Sequence, residues 1–173
     1  AGGTRFRGHS DTEVLLALYL RHGEAMLPKL NGIFAFALWD RRRHELWLAR
    51  DPLGVKPLYY AESADGFAFA SEIKALLALV PDAGGMDAVS LHRYLSFLWC
   101  PGAGTPLKGI RKLGPGEAIV VHEGQIARRW QWYELPAFRI QPGDMDETAA
   151  IHGTEAALRT AVHRQLVADV PVG

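Results

Sequence analysis

The chain has 173 residues, 49% of them apolar and 22% charged, with 19 Lys+Arg against 19 Asp+Glu. A chain of this size buries roughly 70% of its extended surface, so one ordinary domain is expected, with room for part of a second. Zero net charge excludes a strong global field toward nucleic acid or an acidic membrane. The single cysteine, Cys100, excludes an internal disulfide framework and a cysteine-rich zinc site.

The first predicted element is a helix. Ser10-Asp11-Thr12-Glu13 fits a capping box, in which Ser10 and Glu13 satisfy each other's exposed backbone donors. Leu15, Leu18 and Tyr19 follow on one face, and Gly23 offers a stop. The pattern then changes. Gly32 to Asp40 is short and nearly all apolar, as suits a strand covered on both faces. Asp40 to His44 is a polar turn, Glu45 to Arg50 a second strand, and Asp51-Pro52-Leu53-Gly54 carries turn chemistry. Leu58 to Ala61 and Phe67 to Ala70 flank Asp65-Gly66 and predict a hairpin.

Ser71 is expected to cap a short helix through Ile73, Leu76 and Leu77. Pro81 to Gly85 is a loop. Asp87 is expected to cap a helix carrying Val89, Leu91, Tyr94 and Leu95. Three further strands are predicted, Ile110 to Leu113, Glu117 to Val121 and Gln125 to Trp132. Pro136 to Asp146 is expected to be a linker. Thr148 to Ala168 is expected to be a helix with Ile151, Leu158, Val162 and Leu166 available for burial. Buried strand pairs between helices point to a layered mixed domain. The first residues, Ala1-Gly2-Gly3, and the strand-like Val170-Pro171-Val172-Gly173 read as cut ends of a longer protein.

The longest clean apolar run, Ile33 to Trp39, is too short to cross a bilayer, and no basic-then-apolar leader is seen. A soluble cytoplasmic protein is expected. The seven histidines (His9, His22, His44, His92, His122, His152, His163) are scattered without metal-ligand spacing, so no metal site is expected. Arg41-Arg42-Arg43 reads as a solvated turn rather than a nucleic-acid patch. Cys100 has no nearby histidine to activate it and reads as structural. Arg50-Asp51 reads as an ion pair pinning a turn. Asp11 reads, on these grounds, as a helix-start acid favoured by the dipole. None of these patterns alone yields a function.

A series of longer stretches does. Ser10-Asp11-Thr12-Glu13-Val14, Leu30 to Asp40, Ala49 to Tyr60 and Phe69 to Leu76 occur in an order that resembles class II glutamine amidotransferase domains. Tyr94-Leu95-Ser96-Phe97, Gly109 to Gly116 and Asp169-Val170-Pro171-Val172-Gly173 narrow the likeness to the glutamine-hydrolysing asparagine synthetase family. The resemblance covers nearly the whole chain.

It implies an α+β fold, an αββα sandwich of stacked antiparallel sheets of the N-terminal nucleophile hydrolase type. That fold is expected to be incomplete here and followed by the first helix and strand of an α/β synthetase domain. The implied boundaries are 1–135 for the partial glutaminase domain, 136–146 for the linker and 147–173 for the start of the synthetase domain. In the family an N-terminal cysteine, with its free α-amine as base, attacks the glutamine amide. Ammonia leaves, and water hydrolyses the thioester. The ammonia then displaces AMP from an aspartyl adenylate to give asparagine. Glutamine and aspartate, or a related carboxylate acceptor, are the implied partners. ATP and Mg are the implied cofactors of the parent protein, bound beyond residue 173.

The same likeness puts the nucleophile and the oxyanion-hole segment before Ala1, so no catalytic residue is expected within this chain and the piece alone is expected to be inactive. Cys100 matches a loop position and has no α-amine to act as base. Asp11 matches the family aspartate that holds the α-ammonium group of substrate glutamine. The alternatives are a β-lactam-synthetase-like or other amidotransferase relative with a different acceptor, and a non-catalytic remnant or binding module. Amidotransferases that make phosphoribosylamine or glucosamine phosphate are disfavoured, because their second domains do not begin with a helix followed by Asp-Val-Pro-x-Gly.

Overall fold

The computed structural model describes residues 6–136 and 146–166. The chain divides into two compact units, Ala1–Leu135 and Pro136–Gly173.

The first unit opens with helix α1 (Asp11–His22) and a 3-10 segment (Gly23–Lys29). The hairpin β1 (Ala35–Asp40) and β2 (Glu45–Arg50) follows, then the hairpin β3 (Tyr59–Ser63) and β4 (Gly66–Ala70). Helices α2 (Ile73–Leu79) and α3 (Ala88–Phe97) come next. The short β5 (Arg111–Lys112), β6 (Glu117–His122) and β7 (Gln125–Gln131) complete it. Two antiparallel sheets result, with strand orders β1-β2-β6-β7 and β4-β3-β5.

Alternation along the central strands explains the layering. Trp47, Ala49, Ala118 and Val120 meet Tyr19, Met26 and Leu27 in one core, between the larger sheet and the α1 side. Their neighbours Leu48, Ile119 and Val121 meet Leu58 and Leu113 in a second core, between the two sheets. Ala61 meets Leu76, Ala83 and Ile110 in a third, between the smaller sheet and α2. The first unit is therefore layered helix, sheet, sheet, helix. The nearly continuous apolar character of β2 and β6 follows from burial on both faces, whereas β1, expected to be covered on both faces, lies at the sheet edge and leaves Ala37 and Trp39 exposed. Each leucine-sized side chain fully removed from water contributes about 1.5–3 kcal/mol.

Several expectations need correction. The capping box is not reciprocal. The Ser10 hydroxyl accepts from the Thr12 N–H at 3.2 Å, while Glu13 reaches past Ser10 to the N–H groups of Arg7 and Gly8 at 2.8 and 2.9 Å. Ser71 does not cap α2. The N-cap is Glu72, one residue on, with no side-chain bond. β1 begins at Ala35 rather than Gly32. Asp87 caps α3 as expected, through the Ser90 N–H at 3.2 Å, and most of the apolar residues that α3 carries stay at the surface. Val89, Tyr94 and Leu95 are exposed, and the buried residue is Ser90.

In the second unit, α4 (Glu147–Gln165) is capped by the Asp146 carboxylate, which accepts from the Ala149 N–H at 2.8 Å. No described residue of α4 is buried, and Ile151, Leu158 and Val162 lie exposed, as does Leu166 just beyond it. Most of the expected linker (137–145), the expected helix end near Ala168, the strand-like tail 169–173 and residues 1–5 lie outside the described residues.

Candidate functional site

Asp11 is the first residue of α1 and is exposed. One carboxylate oxygen, Oδ1, accepts from the Thr12 N–H at 2.7 Å. The other has no hydrogen-bond partner among the described residues. Glu13 lies on the same turn, and its bonds from Arg7 and Gly8 fold residues 7–10 back over the helix start. Those two N–H donors hold the Glu13 carboxyl below the usual range. The helix start thus presents two carboxylates where the dipole favours negative charge.

Arg50 and Asp51 form a different kind of site. The Arg50 guanidinium donates to the carbonyls of Lys56, Leu113 and Gly54 at 2.6, 2.6 and 2.5 Å. Burial lowers its pKa, and the neighbouring Asp51 opposes that shift. The Asp51 carboxylate is 1% exposed and accepts from the N–H groups of Leu53, Val55 and Lys56 at 3.1, 3.0 and 3.0 Å. Gly54 has φ +65°, and a Cβ there would lie 3.1 Å from the Arg50 guanidinium carbon. The pair pins loop 51–57 mainly through backbone groups, where the sequence suggested a simple ion pair. Both side chains are saturated by the fold, which suits a structural role.

Cys100 is buried, and its thiol donates to the Ser90 carbonyl at 3.4 Å. The Cys100 carbonyl accepts from the Lys112 ammonium, which also sits 5.3 Å from the Trp99 ring centroid. Burial pushes the Lys112 pKa down. Among the described residues no three His, Cys, Asp or Glu side chains are placed to hold a metal ion. No described helix is long and apolar enough to cross a membrane.

Sequence reading also passed over an open cleft of about 950 Å³ between α1, the 3-10 segment and the β1–β2 turn. Its rim includes Arg41, Arg42 and Arg43, the run first read as a solvated turn. In the sequence that run is preceded by Trp39-Asp40, and the structure leaves Trp39 exposed.

The helix–sheet–sheet–helix unit is consistent with a glutamine amidotransferase domain. Residues 1–133 match the glutamine amidotransferase domain model, and the chain belongs to that family. It is similar to asparagine synthetase (glutamine-hydrolyzing) 3 of Bacillus subtilis (strain 168), 38% identical over 99% of this chain and 28% of the relative. A putative asparagine synthetase (glutamine-hydrolyzing) of Mycobacterium tuberculosis (strain ATCC 25618 / H37Rv) is 38% identical over 99% of this chain and 27% of its own length. Amidase chry2 of Gibberella zeae is 32% identical over 97% of this chain and 25% of its own length. The chain thus spans about a quarter of the length of these relatives.

Proposed function

We propose that this chain is part of a glutamine-dependent, ATP-dependent asparagine synthetase. On this reading residues 1–135 are the larger part of an N-terminal nucleophile hydrolase domain, 136–146 a linker and 147–173 the start of the synthetase domain. The single observation that carries the reading is the family match over residues 1–133. The names of the relatives and the four-layered unit support it.

Asp11 holds the α-ammonium group of substrate glutamine. Support comes from its exposure, its unpartnered Oδ2 among the described residues and the negative character of the α1 start. The rigid first turn fixes where that carboxylate points. Glutamine hydrolysis uses a cysteine nucleophile supplied by the parent ahead of Ala1. Its thiolate forms a thioester to the side-chain carbonyl, ammonia leaves with a proton from the base, and water releases glutamate. The ammonia then amidates aspartate. Cys100 takes no part, because its thiol is buried against a backbone carbonyl.

ATP and Mg belong to the synthetase part of the parent, in a cytoplasmic enzyme. The described residues here do not fit them. The starts of α1, α3 and α4 carry Asp11 and the capping carboxylates of Asp87 and Asp146, which repel phosphate. No step is assigned to either group in this chain. A second reading, an amidotransferase with a different acceptor, is favoured by the similarity to Amidase chry2.

Asp11→Ala in the full-length enzyme tests the glutamine site. Losing the charge partner of a bound ammonium costs about 2–5 kcal/mol, so glutamine-dependent kcat/KM is expected to fall roughly 30-fold or more. Ammonia-dependent synthesis is expected to stay within about twofold of the parent enzyme, because it bypasses the glutamine site.

A further inference from the structure

Residues 6–9 lead into α1, and all are exposed. Among the described residues they make two hydrogen bonds, and both end on one side chain. The Arg7 N–H donates to Glu13 Oε1 at 2.8 Å and the Gly8 N–H to Glu13 Oε2 at 2.9 Å. An acid at this position of a capping box serves the N–H of the N-cap residue. Glu13 serves donors further out in the chain instead, and so ties the incoming stretch to the first turn of the helix.

The tie bears on Asp11 through Ser10, which joins the tied stretch to the helix. The Ser10 hydroxyl accepts from the Thr12 N–H at 3.2 Å, and Asp11 Oδ1 accepts from the same N–H at 2.7 Å. The Thr12 hydroxyl adds a longer bond to Oδ1 at 3.4 Å. Ser10 and Asp11 thus share one donor, and the place of Ser10 sets how the Asp11 carboxylate turns. With Oδ1 engaged, Oδ2 is the oxygen left to meet a ligand.

The helix itself does not depend on the tie. α1 is held by Leu15, Leu18 and Tyr19 in the core beside the larger sheet. Residues 6–9 belong to none of the three cores. Removing the Glu13 carboxylate therefore releases the incoming stretch without unseating α1.

We infer that Glu13 is a positioning residue of the glutamine site: it clamps residues 7–10 to the first turn of α1 and so holds Asp11 in the orientation that meets the ammonium group of glutamine. The inference rests on the reading of Asp11 as the residue that binds this group. Glu13 acts through Asp11 rather than on the substrate, because both of its oxygens are engaged by backbone donors.

The test is steady-state kinetics of the full-length enzyme carrying Glu13→Ala, with glutamine and with ammonia as nitrogen donors. The glutamine KM is expected to rise roughly fivefold or more while kcat stays within about twofold, the pattern of lost binding rather than lost turnover. Ammonia-dependent synthesis and the melting temperature are expected to match the parent enzyme, because the substitution is at the surface. Glu13→Gln keeps one acceptor oxygen for the two donors, so its KM is expected to lie between those of Glu13→Ala and the parent enzyme. An unchanged glutamine KM in Glu13→Ala overturns the inference. Equal KM values for Glu13→Gln and Glu13→Ala overturn it too, because they assign the effect to charge. Parallel loss with both nitrogen donors does the same, because it marks a structural role. Asp11→Ala separates the clamp from the reading beneath it. Lost glutamine use in Asp11→Ala beside an unmoved Glu13→Ala removes the clamp alone. Unmoved glutamine use in Asp11→Ala removes the glutamine site, and the clamp with it.

Discussion

The Asp51 carboxylate is buried and holds the loop that follows it. Three backbone N–H groups end on its carboxylate, and its own carbonyl accepts from Gly54 and Gly116 at 3.0 and 2.8 Å. Asp51→Ala leaves those three donors without their acceptor inside the fold. Hydrogen bonds to a buried charge are worth about 1.5–3 kcal/mol each, and relaxation recovers part of the sum. Urea unfolding of the variant is expected to show a loss of about 3 kcal/mol.

Tyr19 makes a pH prediction. Burial, then the hydrogen bond to Asp40, raises its pKa from 10.0 to about 12. A raised pKa contributes stability that is present below pH 10.0 and is lost as pH rises toward about 12. The same bond holds the Asp40 carboxyl down, so its contribution is present above the ordinary carboxylate range and is lost on acidification through the folded value. Tyr19→Phe is expected to flatten both flanks of a melting-temperature profile across pH. Residue types told where a turn falls, as at Arg50-Asp51, but not the bonding partners. Lys56, Leu113 and Gly54 reach Arg50 only once the chain has folded.

The strands were the most legible elements, because a strand buried on both faces is a short apolar run and the turns between them carry Gly, Asp and Pro. β2 runs from Glu45 to Arg50 as the pattern predicts. β7 hides what its pattern lacks. Val120 pairs with Arg128 and Val121 with Ile126, so Ala127 is an extra residue. Strict alternation would put Ile126 and Trp130 on one face, yet Ile126 packs between the sheets and Trp130 on the α1 side. Deleting Ala127 closes the bulge and leaves Ile126 and Trp130 three residues apart, so that regular alternation keeps each in its own core. Cooperative unfolding with little change in tryptophan emission is the expected outcome.

Helix α2 depends on Leu76, which is fully buried against the smaller sheet. Leu76→Ala is expected to cost about 2–5 kcal/mol by calorimetry. Helix α3 was legible as a helix but not as a surface. Its periodicity says that Leu91, Tyr94 and Leu95 form a face that favours cover, and periodicity does not say what covers it. The structure leaves Tyr94 and Leu95 exposed and buries Ser90, whose hydroxyl donates to Asp87 at 2.5 Å.

At the scale of the molecule, three hairpins, β1–β2, β3–β4 and β6–β7, and their helices build the four layers of the first unit in a chain of zero net charge. That zero conceals local unevenness, with Asp11 and Glu13 at the start of α1 and Arg41, Arg42 and Arg43 at the β1–β2 turn. Composition could not separate them, because it sums over positions that folding keeps apart. The likeness to glutamine amidotransferases came from long motifs in fixed order rather than from periodicity. Motif order also pointed to Asp11, which physics alone reads as an ordinary helix-start acid. The central claim is that Asp11 binds the ammonium of glutamine in the parent enzyme. The measurement that tests it is amide formation by full-length Asp11→Ala enzyme, with glutamine and with ammonia as alternative nitrogen donors. The account predicts a fall of roughly 30-fold or more in glutamine-dependent kcat/KM with ammonia-dependent synthesis intact. Equal loss with both donors, or unchanged use of glutamine, would contradict it.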